Sequence, residues 1–242
     1  MAPLGKLKSI LNKTFKQEDG EEYSIQLLSA MTDNEIENFK NKLPKKHLPR
    51  DIIELLKFSR GFEIPILEQI DFIAFDQFGF GELLPNSIQL AGDGTGNFWV
   101  LDIDSDGNWG SVYYVCHDPA VIIKHSNNLV EFIEDVLEYC KNGSNSKLDI
   151  IHEKIVYDIW NEKIGIIEQN KKDNYDFGQI QLPEFFLIAD LTDKPVMTGF
   201  PWGKFGADTK IIRPNDNPIW VIEKKIKLGF LSRLFNLKKA SN

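Results

Sequence analysis

The stretch LAGDGTGNFWVLDIDSDGNWGSVYYVCHDP, residues 90–119, decides how the fold is interpreted. Residues 98–103 and 110–116 are two apolar runs with strand-like alternation, and the sequence Ser-Asp-Gly-Asn lies between them. Alternation with a period of two is typical of strands. Asp and Asn favour turns, and Gly tolerates a positive φ. The stretch therefore predicts a β-hairpin with Gly107 in its turn.

The segment GDGTG within this stretch is similar to a phosphate-binding loop. In dinucleotide-binding proteins such a loop joins a strand to a helix, so that the pyrophosphate meets the helix N-terminus. Here Gly92, Gly94 and Gly96 precede a predicted strand, and Asn97 stands where the fingerprint has its third glycine. No Gly-Lys-Ser/Thr follows, so we predict no nucleotide cofactor.

The segment DIDSDG is similar to the start of a calcium-binding loop. Asp102, Asp104, Asp106 and Gly107 match four positions of an EF-hand loop, but Tyr113 stands where a bidentate glutamate must complete the oxygen cage. The predicted flanks are strands instead of helices. The hairpin is therefore favoured over a calcium site.

The segment CHD does not predict a metal or nucleophile site. Cys116, His117 and Asp118 are consecutive, and neighbouring strand residues point to opposite faces of a sheet. The sequence also lacks a Gly-x-Ser-x-Gly nucleophile elbow. We therefore predict no metal and no catalytic residue, with a hydrolase of unrecognised arrangement as the open alternative.

The order of predicted elements surrounds the hairpin with helices. Helical periodicity or capping signals predict helices at 4–16, from Thr32 to about 42, after Pro49, at 128–140 and at 148–169. Gly61 is expected to end the third helix in a left-handed conformation. Short strands fill residues 62–116, and a strand-rich tail is predicted at 185–191, 194–198, 210–212 and 219–226, followed by a basic terminal helix.

Three ordered motifs resemble the SUKH superfamily, which contains a fungal cell-wall synthesis regulator and many bacterial immunity proteins. The opening helices and their boundaries match at Glu35, Leu48, Pro49, Leu55 and Gly61. The turn and strand that follow match at Asp93, Gly94, Gly96, Asn97, Trp99 and Asp102. The third motif is the strand VYYVCHDP with the helix at 128–140 after it.

The resemblance covers about residues 22–142 and implies an α+β fold, with helices flanking a twisted, mainly antiparallel sheet. Residues 1–21 are expected to form a separate basic amphipathic helix. After the polar turn at 141–146, residues 147–242 are expected to form an additional αβ extension that ends in another basic amphipathic helix.

Charge is distributed unevenly along the chain, whose formal net charge is -8. Residues 1–16 carry four lysines and no acid, and residues 223–242 carry six basic residues and one acid. Residues 17–222 therefore have a net charge of -17. A surface this acidic repels nucleic acid and steers basic partners toward it, so no direct nucleic-acid binding is expected.

The resemblance implies a non-catalytic immunity protein that neutralises a cognate toxin, expected to be a nuclease with a basic surface. The candidate partner-binding residues are Asp76, Glu82, Asp93, Asp104, Asp106 and Trp109. In the alternative interpretation, Asp93 and Asp102 only cap turns and Trp109 packs within the sheet. The alternative function is a regulatory scaffold of cell-envelope synthesis.

The N-terminal sequence, the cysteines and the two basic ends bear on where the protein resides and what its ends contact. The first 16 residues lack the apolar segment of a secretion signal, and two cysteines suit a reducing compartment, so the protein is expected in the cytoplasm. The basic terminal helices are expected either to pack on the acidic body or to make peripheral contact with an anionic membrane.

Overall fold

The structure, a computed structural model, describes residues 2–11, 13–16, 20–64, 67, 69–162, 165–206 and 208–225. The helices are α1 (Pro3–Ile10), α2 (Asp33–Lys40), α3 (Arg50–Leu56), α4 (Leu129–Asn142), α5 (Lys147–Ile150) and α6 (Val156–Glu162). A π-helical turn, Ile151–Ile155, joins α5 to α6. Short 3₁₀ turns lie at Pro44–Lys46, Gly143–Asn145 and Gln169–Asn174.

The strands form four antiparallel sheets. In chain order they are β1 (Phe15–Lys16), β2 (Glu22–Tyr23), β3 (Gln26–Leu27), β4 (Gly61–Glu63), β5 (Ile70–Asp71), β6 (Ser87–Gly92), β7 (Phe98–Ile103), β8 (Trp109–His117), β9 (Ala120–Ser126), β10 (Ile166–Glu168), β11 (Phe186–Asp190), β12 (Thr198–Phe200), β13 (Ile211–Ile212) and β14 (Ile219–Glu223). These helices and antiparallel sheets confirm the predicted α+β class.

The central sheet has five strands in the order β12-β9-β8-β7-β6. The predicted hairpin is confirmed as β7 and β8, and Gly107 in its turn has φ 87°. The edge strand β12 comes from the C-terminal part of the chain, where Thr198 pairs with Lys124 of β9. The tail is therefore built directly into the central sheet.

Both faces of the central sheet are buried, because alternate side chains of each strand enter different cores. The first core lies between the sheet and the helices and includes Trp99, Leu101 and Tyr114. The second core includes Val100 and Tyr113 on the opposite face. There the four-stranded sheet β10-β11-β14-β13 covers the central sheet with Ala189, Trp220 and Ile222, together with Leu191 directly after β11.

Two predicted helix boundaries have different outcomes. The capping box at the start of α2 is confirmed, since the Thr32 side chain accepts from the Glu35 backbone N–H and the Thr32 N–H donates to the Glu35 carboxylate. The left-handed stop at Gly61 is wrong. Gly61 begins β4, where an added Cβ would lie 2.0 Å from the Ile70 carbonyl oxygen, so close backbone approach is what requires glycine.

The N-terminal helix is shorter than predicted. It ends at Ile10, and Phe15 instead pairs with Tyr23 in the β1-β2 hairpin, with ring centroids 5.6 Å apart. Leu7 and Ile10 are fully buried in the first core, and Lys6 Nζ lies 2.8 Å from Glu134 Oε1 of α4. The apolar face of α1 is thus packed on the body of the protein.

The tail also departs from prediction in detail. The helical run that begins at α5 ends at Glu162 instead of 169, because Ile166 and Ile167 pair with β11. The strand expected at 194–198 is β12, which begins only at Thr198. The predicted basic terminal helix lies outside the described residues. No helix in the part of the chain that is described has the length and apolar character needed to cross a bilayer.

Candidate partner-binding site

The six candidate partner-binding residues lie at different ends of the central sheet. The hairpin turn with Asp104 and Asp106 follows the C-terminal end of β7, and the Asp76 N–H donates to Ser87 O at the paired start of β6. Asp93 lies in the β6-β7 turn, at the other end. Glu82 is exposed in the loop before the buried Leu83. The structure therefore does not bring all six residues into one patch.

The hairpin-turn acids have separate roles. The Asp104 carboxylate accepts the Asp106 and Asn108 backbone N–H groups at 2.9 and 2.8 Å, and the Asn108 side chain at 2.9 Å. Burial raises the pKa of Asp104, but these hydrogen bonds outweigh burial and hold it below its ordinary value. Asp106 is exposed and forms an ion pair with Lys45. Asp104 thus shapes the turn while Asp106 faces solvent.

Trp109 is half-buried and packs against the first core, opposite Ile103. Its indole Nε1 is buried and has no hydrogen-bond partner among the described residues. Much of the ring is therefore unavailable to a partner in this conformation.

Two charged residues of the tail, which the sequence did not identify as candidates, lie at the end of the sheet that carries the hairpin turn. Arg213 donates two hydrogen bonds to the Asp102 carboxylate, at 2.6 and 2.7 Å. Asp216 accepts from the Ser105 N–H and Oγ at 3.0 and 2.6 Å. The family-motif residue Asp102 is thus bound internally, and Asp216 adds a carboxylate beside the hairpin turn.

Asp93 organises the turn at the opposite end of the sheet. Its carboxylate accepts from the Thr95 N–H and Oγ1, and from the Asn97 N–H and Nδ2, over 2.7–3.2 Å. The Tyr114 hydroxyl donates to it at 3.1 Å. Burial raises the pKa of Asp93, but the hydrogen bonds from Asn97 and Thr95 together hold it below its ordinary value.

Replacing Asp93 by asparagine is expected to reduce the free energy of unfolding more at pH 7 than at pH 3. Because the folded pKa is lowered, the carboxylate contributes stability above its unfolded pKa of about 3.9, and that contribution is lost as the pH falls toward the folded value. Urea denaturation at the two pH values measures the difference. The exposed Asp173→Asn serves as the control, and an equal loss at both pH values for Asp93→Asn contradicts the prediction.

A pocket of about 360 Å³ lies beside the Asp93 turn. Its two main walls come from the central sheet and from the helical run that begins at α5, and Leu67, together with Tyr139 of α4, completes the lining. Tyr114 links the two walls, since its hydroxyl contacts Asp93 on one side and His152 Nδ1, at 3.1 Å, on the other. His152 lies in the π-helical turn. Sequence patterns gave no signal for this pocket, because its two walls are distant in the chain.

Burial shifts the pKa values of the two cysteines and of one histidine. Burial raises the pKa of the Cys116 thiol to about 11 and also raises that of Cys140. Burial lowers the pKa of His125 to about 3, which keeps its imidazole neutral. Among the described residues, no group of three or more His, Cys, Asp or Glu side chains is placed to hold a metal ion.

Comparison with known families gives a match over part of the chain. Residues 30–135 match the model of the SMI1 / KNR4 family (SUKH-1), which confirms the resemblance to the SUKH superfamily. No curated protein and no solved structure matches the chain. The family match supports a role as an immunity protein or as a regulator-like protein.

Proposed function

We propose that this protein, with its SUKH-1 region at residues 30–135, is an immunity protein that binds and neutralises a cognate toxin in the cytoplasm. The observation that carries the proposal is the net charge of -17 on residues 17–222, which contain the SUKH-1 region. Nucleases present basic surfaces to phosphates, and an acidic protein competes for such surfaces. We propose a nuclease as the toxin, and a non-catalytic role for this chain.

The exposed acids Asp76, Glu82 and Asp106 are the candidate residues best placed to meet a partner. The carboxylates of Asp93 and Asp104 accept hydrogen bonds within their own turns but keep their negative charge. The Lys45–Asp106 ion pair is mostly exposed, with 68% and 60% of the two side chains accessible. Exposed pairs contribute only about 0–1 kcal/mol, so a basic residue of a partner can replace Lys45 at little cost.

The test is binding of a candidate toxin domain whose gene neighbours the gene for this chain. Isothermal calorimetry is expected to show a tight complex, and co-expression is expected to restore growth of cells that produce the toxin. The double substitution Asp76→Asn with Glu82→Gln should slow association, because exposed charges act mainly on the association rate. Asp173→Asn with Asp193→Asn, which removes two exposed acids elsewhere, is the matched control.

Absence of binding to the neighbouring toxin removes the proposal. Capture of envelope-synthesis proteins from the native cell, without any toxin, supports the regulatory scaffold instead.

A further inference from the structure

Residues 224–242, the C-terminal segment, combine positive charge with an apolar arc. The segment carries six basic residues and no acid. Five apolar residues share one wide arc of the predicted terminal helix, namely Ile226, Phe230, Leu231, Leu234 and Leu237. A helix with such an arc and a high density of Lys and Arg is typical of segments that lie in the surface of an anionic membrane.

The described residues where this segment begins are basic and apolar as well. The Lys224 backbone N–H donates to Phe185 O at 2.8 Å, so the chain leaves β14 beside Phe185. Phe185 is 41% exposed, and Ile180 in the same loop before β11 is 37% exposed. Lys224 and Lys225 are also exposed. The C-terminal segment therefore starts at a surface where apolar and basic side chains are already accessible.

The N-terminal basic helix does not offer the same combination. Leu7 and Ile10 of α1 are fully buried in the first core, and Lys6 is paired with Glu134 of α4. The first core thus already covers the apolar face of α1. Membrane contact by the basic ends is therefore expected of the C-terminal segment and not of α1.

We propose that the C-terminal segment and the adjoining Phe185 bind the anionic surface of a lipid bilayer, an activity that goes beyond toxin binding and does not depend on it. The apolar arc enters the boundary between headgroups and acyl chains, and the basic side chains contact the headgroup phosphates. Each basic residue near an anionic surface strengthens binding about fivefold. Anionic lipids are found in the cytoplasmic leaflet, which a protein in the proposed location can reach.

The acidic body is compatible with this contact when only the C-terminal end approaches the lipid. Residues 17–222 have a net charge of -17, which anionic lipid repels at short range. Salt screens exposed charges separated by more than about 8 Å at physiological ionic strength. The contact therefore orients the protein with its acidic body away from the bilayer, where the body stays accessible to a partner.

Flotation of the full chain with lipid vesicles provides the test. The anionic probe is a vesicle of phosphatidylcholine mixed with phosphatidylglycerol, and the neutral probe is a vesicle of phosphatidylcholine alone. We expect flotation with the anionic vesicles only, and release at high salt. Lys238→Gln with Lys239→Gln should weaken binding about tenfold or more. Lys42→Gln with Lys154→Gln, which removes two exposed lysines elsewhere, should leave binding unchanged.

A second double substitution tests the apolar arc. Phe230→Ser with Leu234→Ser keeps every charge and should weaken binding about tenfold or more, because two large apolar side chains no longer enter the lipid.

Three results overturn the proposal. They are no flotation with anionic vesicles, equal flotation with both kinds of vesicle, and flotation that neither double substitution in the C-terminal segment weakens. Selective flotation that both of these substitutions weaken supports the proposal even if no toxin binds.

Discussion

Replacing Arg213 by methionine is expected to destabilise the protein by about 3–5 kcal/mol, because it leaves a buried carboxylate without its partner. The Arg213 side chain is 4% exposed and makes a bidentate contact with Asp102. Burial raises the pKa of Asp102, and the hydrogen bonds and charge of Arg213 oppose that increase. Without the guanidinium, Asp102 faces the like charges of Asp104 and Asp216.

Urea denaturation measures this loss, and Arg50→Met is the matched control. The Arg50 side chain is 93% exposed, and its Nε lies 3.4 Å from Glu54 Oε1. Its substitution should therefore change the free energy of unfolding by less than about 1 kcal/mol. Adding Asp102→Leu to Arg213→Met should recover part of the loss, since both buried charges are then absent. If Arg213→Met and Arg50→Met lower the free energy of unfolding by the same amount, the Arg213–Asp102 pair does not hold the tail to the central sheet.

The loss of stability caused by Arg213→Met should also depend on pH. A carboxyl whose folded pKa is raised above its unfolded value destabilises the fold as the pH rises past the unfolded value. As the pH falls Asp102 takes up a proton, so the difference in stability between variant and wild type is expected to shrink as the pH falls toward the unfolded pKa of about 3.9.

Replacing Trp220 by alanine is expected to cost about 3–5 kcal/mol, the range for a large buried aromatic side chain. Trp220 is fully buried, and the centroid of its ring lies 5.0 Å from that of Phe200 and 6.0 Å from that of Tyr113. Its Nε1 donates to Leu83 O at 2.8 Å. The side chain thus joins β14 to the central sheet and to the loop before β6.

Trp220→Phe separates the packing from the hydrogen bond. It keeps an aromatic ring in the second core and removes the donor to Leu83, so a smaller loss of about 1–3 kcal/mol is expected. Thermal unfolding monitored by circular dichroism measures both variants. If Trp220→Ala unfolds at the wild-type temperature, the second core contributes little to stability.

Features that depend on neighbouring residues were predictable from the sequence. The β7-β8 hairpin follows from alternation and from an Asp-Gly turn, and the Asp104 and Asn108 contacts that fix the turn span only four residues. The capping box of Thr32 and Glu35 is equally local. These signals act within one turn of backbone, so a pattern of residue types is enough to find them.

Contacts between distant segments were not predictable. Asp102 and Arg213 are 111 residues apart, and Tyr114 and His152 are 38 apart. Nothing in residue type or spacing specifies which sheet covers the second face of the central sheet, because that depends on tertiary packing. For the same reason the sequence could identify Asp93 as a candidate but not the pocket beside it.

The most direct test of an acidic binding surface is the association rate constant for the proposed cognate toxin, measured by stopped-flow fluorescence over a range of ionic strength. Between about 50 and 500 mM salt the rate is predicted to fall by about tenfold or more, because screening shortens the reach of the surface charge. A rate constant that stays the same across this range contradicts the account, since the partner then does not respond to the charge on residues 17–222.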